Sequence, residues 1–341
     1  MVQKDKNKAN VIHVLQKDDP ISPLPLASQS RALRSVQKRL ELIAPLDGPV
    51  LITGPSGTGK STIARAIHAM SRRADEALIT RSCGEFDLGT LEATLFGHSA
   101  DAYTSARTRQ EGVLHEADKG TLVLDDIDYL PVSVQSRLLR FLDDGTFYRL
   151  GEPGRAVKTD VRIIITSNKD LEHMVSHGKF LPDLLFRMKK WKTFLPSLAE
   201  RRMDVPIFAD QFLLQFQTAH YPEQPGWFFD EPARRFLATL HWVGNLRELS
   251  EVVENIAAFT TGDRRPITRT EIQRIISDPS YGLESIMANQ APSISEPEKI
   301  YRTLLATSWN ISLTARLVGC SRNTIYRRIE ENGWRRSARR N

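Results

Sequence analysis

Apolar residues in the first two hundred positions fall into short β-rich runs separated by amphipathic stretches. The runs at 49–53, 78–82, 121–124 and 162–166 read as strands, and 61–70 reads as a helix. Alternation of this kind predicts an α/β fold, a parallel sheet with helices on both faces, over 26–195. Beyond Leu195 the strand signals stop, and 196–277 reads as an α-helical lid. Residues 278–295, rich in Pro, Ser and Asn, read as a linker; 1–25, polar with Pro20, Pro23 and Pro25, read as a flexible leader. The final stretch, 296–341, is all-α. Within it 312–318 and 321–332 are helical and joined by Gly319 and Cys320, with Ala315, Leu317, Ile325 and Ile329 spaced to pack them together. Ser321 suits the start of the second helix and Gly333 its end.

Composition narrows the class. A chain of 341 residues, 40% hydrophobic and 26% charged, is an ordinary soluble protein of two or three domains. Its apolar runs are far shorter than the ~20 residues that span a bilayer. Lys4, Lys6 and Lys8 precede no apolar segment, so a signal peptide is not expected. Cys83 and Cys320 are far apart and outside any CxxC spacing, which disfavours a disulfide or zinc site and fits a reducing cytoplasm.

The net charge of +6 is informative because of where it lies. Residues 296–341 hold ten Lys/Arg against four Asp/Glu, and the rest of the chain carries 37 of each sign. A basic helical pair at a terminus is the footprint of a nucleic-acid reader. Ser321, Arg322, Asn323, Thr324 and Tyr326 open its second helix, where side chains meet base edges of double-stranded DNA in the major groove. Arg327, Arg328 and the tail arginines 335, 336, 339 and 340 suit phosphates. A basic helical hairpin for protein contact is the alternative.

The strongest chemical signal is Gly54-Pro55-Ser56-Gly57-Thr58-Gly59-Lys60-Ser61, followed by Thr62. It fits GxxxxGK[ST] in full, directly after a strand and directly before a helix. Such a loop turns its backbone N–H groups inward onto phosphate oxygens, and the helix N-terminus adds to the attraction. Lys60 supplies positive charge to the β- and γ-phosphates of ATP, and the Ser61 hydroxyl can ligate Mg2+. Downstream, the apolar run 121–124 ends in Asp125 and Asp126. Asp125 is suited to the magnesium shell and Asp126 to polarising an attacking water. Asp128 reads as a solvated or capping residue.

In this order the motifs resemble one family, the NtrC-type AAA+ activators of sigma-54 RNA polymerase. The resemblance is carried by LITGPSGTGKSTIARAIH, LFGHSADAYTSARTRQEGVLHEADKGTLVLDDID, DVRIIITSN, DLLFRMKKWKTFLPSLAERRMDV and HWVGNLREL, then a Fis-like helix-turn-helix. It implies a hexameric ring that hydrolyses ATP at subunit interfaces and remodels promoter-bound sigma-54 polymerase. It also implies roles by position. Lys60 and Ser61 match the phosphate and magnesium residues, Asp125 and Asp126 the Walker B pair, and Ser167 and Asn168 the first sensor. Arg187 matches one of two trans-acting arginine fingers, and Arg247 the second sensor. For Arg247, Glu248 and Glu251 offer a helix-start ion pair as well.

Departures from the family cluster at functional positions. The sigma-contacting GAFTGA loop is Asp101-Ala102-Tyr103-Thr104-Ser105-Ala106 here, with both glycines gone and a carboxylate added. Asp126 stands where the family has Glu, one methylene or ~1.5 Å shorter. A ~1 Å misplacement can cost on the order of a hundredfold in rate. Ser82 replaces an asparagine that switches that Glu, Leu181 replaces the first arginine finger, and Ser61 replaces a common Glu. Two expectations follow: an ATPase activator of sigma-54 promoters, or an ATP-gated DNA-binding regulator with weak or no hydrolysis. An unrelated AAA+ loader or chaperone is disfavoured by the basic terminus and the DAYTSA insertion. Only about 25 residues precede the ATPase region, too few for a receiver domain. Control is therefore expected from a partner protein, expression level or heteromeric assembly.

Overall fold

Short strands with apolar centres can be buried on both faces only inside a helix-covered parallel sheet. The computed structural model of the chain has this arrangement. It describes residues 30–85, 90–100, 102, 108–222, 226–260, 266–278, 280, 300, 301, 303, 304, 307, 309–318, 320–332 and 334. The leader, nearly all of the linker, Gly333 and the arginine tail lie outside these residues. The chain divides into two units, Met1–Ile272 and Gln273–Asn341.

In the first unit, β1 (Val50–Thr53), β2 (Leu78–Ser82), β3 (Thr121–Asp125), β6 (Arg162–Ser167) and β7 (Trp191–Phe194) form one sheet. Their order is β2-β3-β6-β1-β7 and every pairing is parallel. The expected strands are present within a residue or so. The edge strand β7 had no separate signal, because Lys192 and Thr193 break its apolar run. A small antiparallel hairpin, β4 (Thr146–Tyr148) with β5 (Ala156–Lys158), also escaped the pattern.

The helices of this unit are α1 (Arg31–Ile43), α2 (Lys60–Ala69), α3 (Leu91–Phe96), α4 (Val113–Glu116), α5 (Val132–Asp144), α6 (Leu171–Ser176) and α7 (Pro182–Met188). The α1 helix starts where the Ser30 hydroxyl accepts the Leu33 N–H at 3.1 Å, and it buries Leu33, Val36, Leu40 and Ile43. At its other end the buried Arg162 guanidinium donates to the carbonyls of Ile43 and Ala44, tying helix to sheet. One core joins the sheet to α3, α4, α5 and α7 through Leu51, Leu122, Leu124, Phe96, Leu138, Phe147, Leu184 and Met188.

The lid follows as α8 (Val205–His220), α9 (Glu231–Thr239), α10 (Asn245–Phe259) and α11 (Arg269–Ser277). The α8 helix packs on α9 and α10. The expectation that strands end at Leu195 needs one correction. Phe228–Phe229 (β8) and Pro266–Ile267 (β9) pair in parallel, two residues each. A pairing so short leaves no periodicity to read.

In the second unit α12 (Ile311–Val318) and α13 (Arg322–Glu331) enclose Ile300, Leu304, Ala315 and Ile325. Ile329 packs against this cluster as expected; the Leu317 side chain lies outside the described residues. Ser321 caps α13 by accepting the Thr324 N–H at 3.1 Å.

One buried side chain fixes the start of α7. Gln135 on α5 donates from Nε2 to the carbonyls of Leu130 (2.8 Å) and Lys179 (3.1 Å), and its Oε1 accepts the N–H of Leu181 (2.8 Å). Gln135→Ala strips partners from these three backbone groups and should destabilise the chain by about 1–3 kcal/mol in a urea titration. An unchanged midpoint would show that the amide carries no such load.

Candidate functional site

The phosphate-loop sequence runs from the end of β1 to the start of α2, at the carboxyl edge of the sheet. Gly54, Gly57 and Gly59 have φ of 154°, 74° and 99°. At Gly57 a Cβ would also lie 2.1 Å from the Gly244 carbonyl, so conformation and contact both require glycine. Lys60 is buried and its Nζ donates to the carbonyls of Gly54 (3.0 Å) and Pro55 (3.1 Å). Burial lowers its pKa, and Asp126, Asp125 and Asp128 oppose that shift. Thr58 closes the loop by donating to the Pro55 carbonyl at 2.9 Å. Thr62 lies one residue beyond Ser61 in the first turn of α2.

Across from the loop, the ends of β3 and β6 are laced together. Ser61 Oγ donates to Asp125 Oδ2 at 2.9 Å, and Thr166 Oγ1 donates to Asp125 Oδ1 at the same distance. Thr166 Oγ1 also accepts the Asp126 N–H at 3.1 Å. Asp126 itself sits in the left-handed region, φ 54° and ψ 54°, a conformation that costs a non-glycine residue and recurs at functional sites. Asn168 Nδ2 approaches Asp126 Oδ1 at 3.4 Å. Burial raises the Asp126 pKa, as do Asp128 and Asp125, against Lys60 and Arg247. A hydroxyl and a carboxylate facing each other across this short gap are hard oxygen donors suited to a magnesium ion.

The expectation for Asp128 is overturned. It is buried, neither solvated nor a helix cap: Ser167 Oγ donates to its Oδ1 at 2.8 Å, and Lys169 Nζ stands 3.0 Å from its Oδ2. Sequence missed this because DDID reads equally well as a polar turn.

Arg247, on the first turn of α10, donates from Nη1 to Ser56 Oγ at 3.3 Å, so it stands over the phosphate loop of its own chain. Glu248, offered by sequence as its ion-pair partner, instead accepts the Gly244 N–H at 2.8 Å. Two lid residues that the motifs did not flag grip the same loop. Asn245, at φ 57°, donates to the Ser56 carbonyl at 2.8 Å, and the buried Arg201 donates to the Thr58 carbonyl at 2.8 Å. The Leu246 N–H adds a bond to the Gly57 carbonyl at 2.8 Å. An Asn after Gly, able to take a left-handed backbone, was the available signal for the first.

Arg187 lies elsewhere, half-exposed near the end of α7. Its Nε pairs with Asp143 Oδ1 at 2.9 Å and faces the carbonyls of Leu142 and Asp143. Leu181 precedes α7 and packs partly buried against the core. Ser82 pairs with Asp125 across β2 and β3. Of the loop expected to contact a sigma factor, Ala102 is described, and Asp101, Tyr103, Thr104, Ser105 and Ala106 lie outside the described residues. The loop's stem is pinned by His98 exchanging backbone hydrogen bonds with Gln110 at 3.0 Å and by Ser99 N–H on the Leu150 carbonyl at 2.9 Å.

In the second unit Arg322, Asn323, Tyr326 and Arg327 lie exposed on α13 with Ser321 at its cap, while Thr324 and Arg328 are half-buried. Arg327 and Arg328 both reach Glu331, at 3.6 and 2.8 Å. Among the described residues no helix is long and apolar enough to cross a membrane.

Comparison with known proteins adds three family matches: a Sigma-54 interaction domain over residues 26–193, an AAA+ ATPase lid domain over 199–280, and Bacterial regulatory protein, Fis family, over 294–337. The chain is 36% identical to the alginate biosynthesis transcriptional regulatory protein AlgB of Pseudomonas syringae pv. tomato, covering 90% of this chain and 67% of that protein. It is 35% identical to the transcriptional regulatory protein ZraR of Salmonella typhimurium, covering 89% and 68%. The crystal structure of NtrX from Brucella abortus in complex with ATP superposes with a TM-score of 0.62 at 31% identity, covering 91% of this chain and 69% of that one.

The raised Asp126 pKa has a consequence for stability. Ionising this carboxyl costs more in the folded chain than in the unfolded one, so the cost is present above the folded pKa and vanishes below the usual 3.8. Asp126→Asn should therefore raise the melting temperature at pH 7 without nucleotide or metal, by a solvent-screened amount on the order of 1 °C. The gain should shrink as the buffer approaches pH 4. A lowered melting temperature at pH 7 would mean that the carboxylate is held by a net attraction.

Proposed function

The chain belongs to the family of sigma-54-dependent, DNA-binding transcriptional activators with an AAA+ domain, and from that premise we propose that it is an ATPase whose cycle drives promoter opening. In this reading 26–195 binds ATP, 196–277 is the lid that follows the nucleotide, and 296–341 holds the protein at upstream DNA. The observation that carries it is the convergence of Lys60, Ser61, Asp125, Asp126 and Asn168 at one end of the sheet, with Arg247 against Ser56. The relative crystallised with ATP supports that nucleotide as the ligand.

The roles follow from chemistry. Lys60, now engaged with its own loop carbonyls, is free to exchange them for phosphate oxygens, a stronger charge-assisted bond. Residues 56–59 offer backbone N–H groups to the phosphates, Pro55 having none and Gly54 giving its own to the Ser167 carbonyl. Ser61 and Asp125 would hold Mg2+, which when bound neutralises charge on the β- and γ-phosphates. Asp126 accepts the proton of the attacking water, and Asn168 orients the pair. Arg247 senses the γ-phosphate from the lid of the same chain. Arg187, paired with Asp143 in its own chain, serves a neighbour's nucleotide in a hexameric ring, where a guanidinium stabilises the charge of phosphoryl transfer. Residues 101–106 contact sigma-54, and Arg322, Asn323, Thr324, Tyr326, Arg327 and Arg328 read and grip DNA.

A second reading has its own observation. Leu181 packs into the core where a second finger would stand, and the Asp126–Asn168 contact is long at 3.4 Å. A regulator that binds ATP as an assembly signal and hydrolyses it slowly fits these features.

Turnover and open-complex formation should be measured together, with purified sigma-54 polymerase and a target promoter. Lys60→Ala should lower ATP affinity by about tenfold or more, the cost of one charged hydrogen-bond donor, and lower turnover and melting with it. Promoter melting that survives in this variant would overturn the ATP-driven reading. ATP-dependent DNA binding with no turnover in the wild type would select the slow-switch reading.

A further inference from the structure

We propose that Asp128 is a positioning residue: it clamps the turn after β6 so that Asn168 is held against Asp126. The proposal deepens the hydrolytic reading above and rests on it for its consequence in catalysis.

A buried carboxylate is costly unless it is paired and hydrogen-bonded. The Asp128 side chain is fully buried, 0% exposed, at a position where an apolar or small residue would pack without that cost. Both of its partners come from one short segment. Ser167 Oγ donates to Oδ1 at 2.8 Å and Lys169 Nζ lies 3.0 Å from Oδ2. Between them in sequence is Asn168, the residue whose amide meets Asp126. Asp128 therefore holds the residues on both sides of Asn168 and does not touch Asn168 itself.

The clamp extends in two directions. The Ser167 hydroxyl also accepts the Lys169 N–H at 3.1 Å, so the turn closes on the group that Asp128 fixes. The Ser167 carbonyl in turn receives the Gly54 N–H at 3.3 Å, which ties the turn to the root of the phosphate loop. On the outer side the Lys169 ammonium lies 4.3 Å from the centroid of the Tyr129 ring, held between a carboxylate and a π face. The Asp128 carboxylate beside it also raises the Lys169 pKa, which keeps the ion pair charged.

Precision matters here because the contact being positioned has little slack. At 3.4 Å the Asn168–Asp126 bond is at its geometric limit, and Asp126 reaches from a left-handed backbone on a short side chain. A shift of about half an ångström in the turn would lose it.

The test uses Asp128→Ala, Asp128→Asn and Lys169→Met in the full chain, with ATP turnover, affinity for a fluorescent ATP analogue and amide hydrogen exchange as readouts. Asp128→Ala should lower kcat by roughly tenfold to a hundredfold, with KM and analogue affinity changed by less than about twofold. The Lys169 amide should exchange about tenfold faster, the loss of one hydrogen bond's protection, while amides of the phosphate loop keep their rates. Asp128→Asn keeps an acceptor for Ser167 and should fall between wild type and Asp128→Ala. Lys169→Met should resemble Asp128→Ala and add little to it in the double variant. Unchanged exchange at Lys169 overturns the proposal, as does a fall in kcat matched by equal loss of nucleotide affinity. Should the wild type show no turnover, the hydrolytic reading fails by itself. Faster exchange in Asp128→Ala would then still uphold the clamp, and unchanged exchange would overturn it.

Discussion

The register between β3 and β6 is the constraint on which the rest of the site depends. Leu124 pairs with Ile165 and Thr53 with Ser167, so the three central strands end at one level. That level sets Asp125 against Thr166, and the phosphate loop springs from Gly54 directly beside Ser167. Side chains alternate along a strand, so a slip of one residue would turn Thr166 away from Asp125 and carry each isoleucine to the opposite face of the sheet. Close packing around β6, buried at each of its six positions, is what resists the slip. Hydrophobic burial in the sheet thus fixes polar geometry at its edge.

From this edge the order passes to the lid through backbone rather than through ligand. Asn245, Leu246 and Arg201 hold the carbonyls of Ser56, Gly57 and Thr58, three successive residues of the phosphate loop. The close approach is possible because Gly57 carries no Cβ to meet the Gly244 carbonyl. Any rearrangement of loop carbonyls on phosphate binding must therefore pull on the start of α10 and on Arg201. Contact between loop and lid is built from short, directed bonds on a contiguous segment.

Much of this was legible in the sequence, and the parts that were not have physical reasons. Strands β1, β3 and β6 announced themselves by apolar runs at the centre of the sheet and β2, at one edge, by Leu78 and Ile79, whereas β7, at the other edge, mixes Lys192 with Trp191 and Phe194 and carries no such signature. Lys60, Ser61 and Asp125 were readable because phosphate and metal chemistry restricts residue type at fixed spacing. Arg201, Asn245, Thr166 and Lys169 were not, since each acts through hydrogen bonds or an ion pair that many residue types could make elsewhere. Asp128 was misread for a related reason. A carboxylate gives no sign in sequence of whether a lysine forty-one positions away will return to meet it.

Electrostatics gives the site its bias toward cations and ligand. Three carboxylates, Asp125, Asp126 and Asp128, stand on one short exit from β3, and Lys60 and Lys169 are the ammonium groups that face them. Burial works against the charged forms of two of these groups: it lowers the Lys60 pKa and raises that of Asp126. The nearby Cys83 adds no further negative charge, for burial beside the same carboxylates pushes its thiol pKa up and keeps it neutral. Lys169 neutralises Asp128 from the outer side, while Lys60 shares its charge with two loop carbonyls. What remains poorly matched is Asp126, whose raised pKa Lys60 and Arg247 oppose without cancelling and whose contact from Asn168 is long. A divalent cation beside Asp125 would relieve that mismatch and admit the negative phosphates in the same event, so metal, nucleotide and fold stability are thermodynamically linked.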